Sequence, residues 1–188
     1  MRWCRKRKWL SALAALWLAL AAAGSADADG IEVRKATLAA AENGYYLEAE
    51  FNITLTHTLE EALSKGVPLY FLLEFEVIRQ RWYWFNDTVA NGQYQYRVSF
   101  NSLTRQYRVG VGTLYENFTT LREALAFLSK VRVGDVVPRD ALSKDTSYTA
   151  GVRMRLDGTQ LPRPFQVSAV GSREWSVGSE WFRWTLAP

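Results

Sequence analysis

The sequence predicts a mainly all-β protein: an antiparallel β-sandwich, Ig-like in general architecture, with two short connecting helices. Three observations carry that expectation. Apolar and polar residues alternate with period two in one run after another. The runs are short and closely spaced, as in a sandwich of about seven strands. Helical periodicity occurs at only two places, each after a strand-like run and each opened by a capping sequence.

Taken in order, Asn43-Gly44 is a hairpin-turn dipeptide joining a strand around Ile31–Ala39 to a second over Tyr45–Leu55. In the second, Tyr45, Leu47, Ala49, Phe51, Ile53 and Leu55 share one face. Glu48, Glu50, Asn52 and Thr54 share the other, so one side is wet. Thr58–Glu61 matches a capping box, with Leu59, Ala62 and Leu63 as the apolar stripe of a helix that Gly66 ends. Leu69–Arg79 alternates again, with Glu74 and Glu76 outward. Tyr94–Phe100 and Tyr107–Val111 are further strands, and Gly110-Val-Gly112 marks a bend. Thr120–Glu123 opens a second capped helix whose stripe is Leu121, Ala124, Leu125 and Leu128. The two helices share T-L-x-E-A-L, a match short enough for either chance or an old duplication. Residues 132–147 read as a long exposed loop with one helical turn after Pro138. Val152, Met154 and Leu156 point inward with Arg153, Arg155 and Asp157 outside. Phe165, Val167 and Ala169 resume the alternation after Pro162 and Pro164, and Trp181–Leu186 closes the chain. No low-complexity linker interrupts residues 29–188, which read as one domain.

Residues 1–28 have the layout of a secretory signal. Arg2, Arg5, Lys6, Arg7 and Lys8 precede an uncharged run from Trp9 to Ala23, and small residues offer cleavage near 23–28. That apolar run is shorter than the roughly 20 residues a spanning helix needs. The alternative is an uncleaved anchor in the inner membrane. The chain has 23 Lys+Arg and 19 Asp+Glu; removing the leader's five cations and one anion leaves 18 of each. The pI of about 9.3 therefore belongs mostly to the leader. A balanced body has no global electrostatic attraction for nucleic acid. The only cysteine is Cys4, so the body carries no disulfide, no Cys-held metal or cluster and no thiol nucleophile.

Little else points to chemistry. His57 has no second His or Cys to complete a metal site, and neither a nucleophile elbow nor a phosphate-loop motif is present. No cofactor or metal is expected. The sequons at Asn52, Asn86 and Asn117 read as chance, because the leader and the cysteine-free body look bacterial. Glu74 and Glu76, two apart on a strand, are the candidate carboxylate pair for a glycan hydrolase. A ladder to Arg97 and Arg108 on later strands is the simpler expectation for them. The densest feature is Arg79-Gln-Arg-Trp-Tyr-Trp-Phe85. Here the apolar set changes face, placing Trp82 and Trp84 beside Arg79 and Arg81 at a rim suited to stacking and to anionic contacts.

Five blocks, Gly66–Phe71, Arg79–Trp84, Leu103–Arg108, Thr120–Leu125 and Leu161–Gln166, resemble the domain-of-unknown-function 4390 family of exported proteobacterial proteins. The resemblance runs from about residue 30 to the end. It implies a single domain in the bacterial envelope, with a faint link to envelope signalling, and brings no activity or catalytic residue. The expected function is a periplasmic, non-catalytic binding or accessory module that recognises an envelope protein or glycan through Arg79, Arg81, Trp82 and Trp84. The alternatives are a glycan hydrolase using Glu74 and Glu76, and a structural or signalling partner of an inner-membrane sensor.

Overall fold

A computed structural model of the chain describes residues 30–80, 87–143, 146–163, 165–166 and 172–186. The expected leader lies outside them, as do Arg81, Trp82 and Trp84. The described chain forms two antiparallel sheets and two helices. β1 (Gly30–Ala40), β2 (Gly44–Thr54) and β7 (Lys130–Pro138) make a three-stranded sheet in the order β1-β2-β7. The larger sheet has the order β6-β5-β4-β3-β8-β9. Its strands are β3 (Leu69–Arg79), β4 (Asp87–Asn101), β5 (Gln106–Val111), β6 (Leu114–Phe118), β8 (Tyr148–Leu156) and β9 (Phe182–Leu186). Helix α1 is His57–Ser64 and α2 is Leu121–Leu128.

The pairing is that of the immunoglobulin fold. If β4, β5 and β6 are counted as one meander beside β3, the second strand pairs with the fifth and the third with the sixth. The alternating residues do what their pattern demands. Leu47 and Phe51 of the small sheet meet Leu69, Phe71, Leu73, Val77, Val98, Val152 and Met154 of the large one in a single apolar cluster. Gly92 belongs to this logic: it stands across from Phe75, whose ring occupies the space a β-carbon would take.

Four expectations change. Residues 132–147 are not mainly a loop, because residues up to Pro138 belong to β7, which hydrogen-bonds to β2 from Gly44 to Glu50. Asp135 takes φ 51° and the register shifts there, so Val136 and Val137 are both buried and the alternation breaks. The turn after Pro138 does form, as a 3-10 turn over Arg139–Ala141. Residues 163, 165 and 166 are helical instead of extended, with the N–H groups of Phe165 and Gln166 bonded to the Pro162 carbonyl. Val167 and Ala169 lie outside the described residues. An exposed strand, β6, also follows β5 where only a bend was expected; Gly112, at φ 58°, makes the turn between them.

The fourth change concerns the helix caps. Thr120 and Glu123 make both bonds of the capping box on α2. In α1 the cap is Thr56, whose hydroxyl accepts the Leu59 N–H and donates to the Glu174 carbonyl. Thr58, the expected cap, instead donates to the Glu174 carboxylate. The shared hexapeptide therefore sits two positions differently in the two helices, which weighs against a duplication. Replacing Thr56 or Thr120 by Ala is expected to cost about 1 kcal/mol each in urea unfolding, and Thr58→Ala less. Equal losses at Thr56 and Thr58 would contradict the assignment.

Candidate functional site

The outward residues of β3, β8 and β9 converge on one polar cluster. Glu74 stands between Gln93 of β4 and Arg153 of β8 in the strand register. One carboxylate oxygen, Oε2, accepts from Arg153 Nε at 2.6 Å and from Arg155 Nε at 3.1 Å. The other, Oε1, accepts from Gln93 Nε2 at 3.1 Å. Although it points away from the apolar core, Glu74 is only 7% exposed, because these neighbours cover it. Burial pushes its pKa up, but the hydrogen bonds and charges of Arg153 and Arg155 outweigh burial and hold it below the usual carboxylate range. Glu76, one pleat further on, pairs with Arg183 Nη2 at 3.1 Å.

Trp181 completes the cluster. It precedes β9 and lies over Gly151, whose missing side chain leaves room for the indole. The guanidinium of Arg153 sits 4.7 Å from the indole centre and that of Arg183 5.4 Å, so the ring is flanked by two cations. Just upstream, Gly178 pairs with Arg155 and Ser179 with Met154, which fixes where Trp181 emerges. A β-carbon on Gly178 would press on the Arg155 stem. The same sheet face continues with Arg97 over the Tyr70 ring at 5.8 Å and Arg108 over Tyr115 at 5.7 Å.

The expected ladder from Glu74 and Glu76 to Arg97 and Arg108 is corrected. Arg97 stands across from Tyr70, while Arg108 is two strands from β3, bonded to Asn117. The real partners come from the other side of β3, because β8 returns there. As a candidate hydrolytic pair the glutamates are poorly placed. Both oxygens of Glu74 are taken by Gln93, Arg153 and Arg155, which leaves it neither free to attack nor protonated, and Glu76, the other member of the pair, is engaged by Arg183.

Of the expected rim, Arg79 is described. It ends β3 on the core side, with its guanidinium 5.6 Å from the centre of the Tyr148 ring and its Nη1 3.9 Å from Asp87. Its side chain is 34% exposed, so it closes the end of the core while keeping a solvent-facing edge. Trp175 is a core residue packed on Phe165, and Trp184 is half-buried beside Phe182. Sequence reasoning placed Arg153 and Arg155 outward but did not join them to Glu74. It missed Arg183 and Trp181 as site residues altogether, since nothing local marks them.

Elsewhere, a cleft on the small sheet is lined by Lys35, Thr37, Glu48, Glu50, Lys130 and Arg132, a mixture of charges with no dominant sign. No group of three or more His, Cys, Asp or Glu among the described residues is arranged to hold a metal. No helix among them is long and apolar enough to cross a membrane.

A family model described as Domain of unknown function (DUF4390) matches residues 28–185. No curated protein and no solved structure matches the chain.

Proposed function

The chain belongs to the family described as Domain of unknown function (DUF4390), and we propose that it is an exported bacterial envelope protein that works by binding and not by catalysis. The carrying observation is how Glu74 is used. It is the buried carboxylate of the outer face, and its oxygens accept from two arginines and a glutamine. Such a group organises cations: its oxygens are engaged, not free to attack, and it has no proton to deliver. What the face offers a partner is guanidinium edges and an indole, the side chains that dominate recognition surfaces.

The leader supports a periplasmic location for the body, and the balanced charge of that body argues against nucleic acid. The rim at the end of β3 is the proposed contact with an envelope protein or glycan: Arg79, with Arg81, Trp82 and Trp84 following it in the chain. The test is capture from detergent-solubilised envelopes of cells expressing the full chain, with partners identified by mass spectrometry. The chain is expected in the periplasmic fraction, shortened by 23–28 residues. Its partner should be depleted at least about tenfold by Trp82→Ala/Trp84→Ala and by Arg79→Ala/Arg81→Ala, with the unfolding midpoint retained. Equal capture by the variants, or collapse of the fold on removing the tryptophans, would overturn the rim as a recognition surface.

A further inference from the structure

We infer that Arg153 and Arg155 form a seat for a phosphate-type oxyanion on the outer face of the six-stranded sheet, apart from the Arg79 rim. This names a ligand chemistry for the binding reading and rests on it.

Both arginines reach Glu74 through Nε, at 2.6 and 3.1 Å, and both converge on the same carboxylate oxygen. Their terminal amino groups take no acceptor among the described residues. Two guanidinium forks are thus brought together by one carboxylate and left facing solvent, at 33% and 41% side-chain exposure. Guanidinium forks are the side-chain groups that recognise phosphate oxygens bidentately.

The ion pairs leave the cluster cationic. The cluster holds Arg153, Arg155 and Arg183 against Glu74 and Glu76, so one cation is in excess. Like charges side by side on a sheet face are destabilising. The excess sits where the arginines crowd together, a repulsion that a bound anion relieves.

Both arginines are also held in place before any anion arrives. Arg153 is fixed by Glu74 on one side and the Trp181 face on the other, and Arg155 by Glu74. Little side-chain entropy remains to be lost on binding. Arg97 lies on the same sheet face with no carboxylate among the described residues to aim it, and serves as the internal control.

The experiment titrates inorganic phosphate into the protein isolated from cells expressing the full chain, at constant ionic strength. It follows the backbone amide resonances of β3 and β8 and the Trp181 indole N–H by NMR, together with the Arg Nε–H signals where the arginines are kept. A parallel arm measures co-sedimentation with vesicles of phosphatidylglycerol in phosphatidylcholine, against phosphatidylcholine alone. Phosphate should shift the Arg153 and Arg155 signals saturably, where chloride does not. Arg153→Lys/Arg155→Lys keeps the charge but loses the forks, and should weaken the response about tenfold or more. Arg97→Lys and Arg79→Ala/Arg81→Ala should leave it unchanged. If the double variant does not fold, Arg155→Lys alone carries the same expectation. Binding to the anionic vesicles as well assigns the oxyanion to a lipid headgroup; phosphate binding alone assigns it to a soluble phosphate group. Absence of both, an equal effect of chloride, or an equal loss in Arg97→Lys would overturn the seat. The two readings separate cleanly. If the seat fails while partner capture through the rim persists, binding stands; if capture fails while phosphate still binds, only the rim is lost.

Discussion

Tyr148→Ala is expected to lower the stability of this protein by about 4 kcal/mol, with Tyr148→Phe costing about 1–2 kcal/mol. Tyr148 is the first residue of β8 and is fully buried. Its phenolic oxygen accepts the N–H of Ser143, five residues upstream, at 3.0 Å. With β8 as the counterpart of the sixth immunoglobulin strand, this is the tyrosine-corner arrangement of that fold. The Ala variant removes a whole ring from between the sheets and leaves a cavity. The Phe variant keeps the volume and strands one backbone N–H. Urea unfolding of the three proteins distinguishes the terms. A Phe variant as stable as the wild type would show that the corner bond contributes nothing, and an Ala variant losing under 1 kcal/mol would contradict the burial.

The second large effect is expected at Glu74. Glu74→Ala should cost about 2–3 kcal/mol at neutral pH, and Glu74→Gln about 1–2 kcal/mol. Fully buried pairs cost more when broken, but Arg153 and Arg155 are a third or more exposed, so water compensates part of the loss. The sign of the pH dependence follows from the lowered pKa. Glu74 titrates below the ordinary carboxylate range when folded and within it when unfolded. Its contribution is therefore complete above about pH 4–5 and is lost as pH falls through the folded pKa. Unfolding curves of the wild type and Glu74→Gln should converge on acidification. A gap unchanged down to about pH 2 would show that the arginines do not stabilise the carboxylate.

How much of this could be read from the chain depended on the range of the interaction. The β1–β2 hairpin was legible because Asn43-Gly44 and the alternation of Tyr45–Leu55 are both local. β3, β5, β8 and the stripes of both helices were legible for the same reason. β7 was not, since Asp135 breaks the period and Gly134-Asp135 resembles a turn; only pairing with β2 makes it a strand. β6 has no apolar face, its residues being mostly exposed, so its form depends on β5 beside it. The α1 cap was misplaced because Thr56 and Thr58 are equally good caps locally. Their contacts with Glu174, more than a hundred residues away, separate them.

The candidate site divides along the same line. That Glu74, Glu76, Arg153 and Arg155 point away from the core followed from alternation alone. Which arginines meet which glutamates did not, because alternation says nothing about strand order. After β6 the chain crosses to the small sheet as β7 and returns as β8 along the free side of β3, bringing together residues 79 and 81 positions apart. Trp181 was invisible for a related reason: its place over Gly151 depends on the pairing of Gly178 and Ser179 with the end of β8.

Local patterning and composition were enough for the class of fold, the inward and outward faces of most strands, and a body without cysteine or excess charge. Each of these depends on residues a few positions apart or on simple composition. Only the tertiary structure decided the strand order, and with it the conversion of two glutamates from a candidate catalytic pair into anchors for three arginines. The physical reason is that sheet neighbours are chosen by the packing of the whole core, and charges on the outer face pair with whichever strand that packing places beside them.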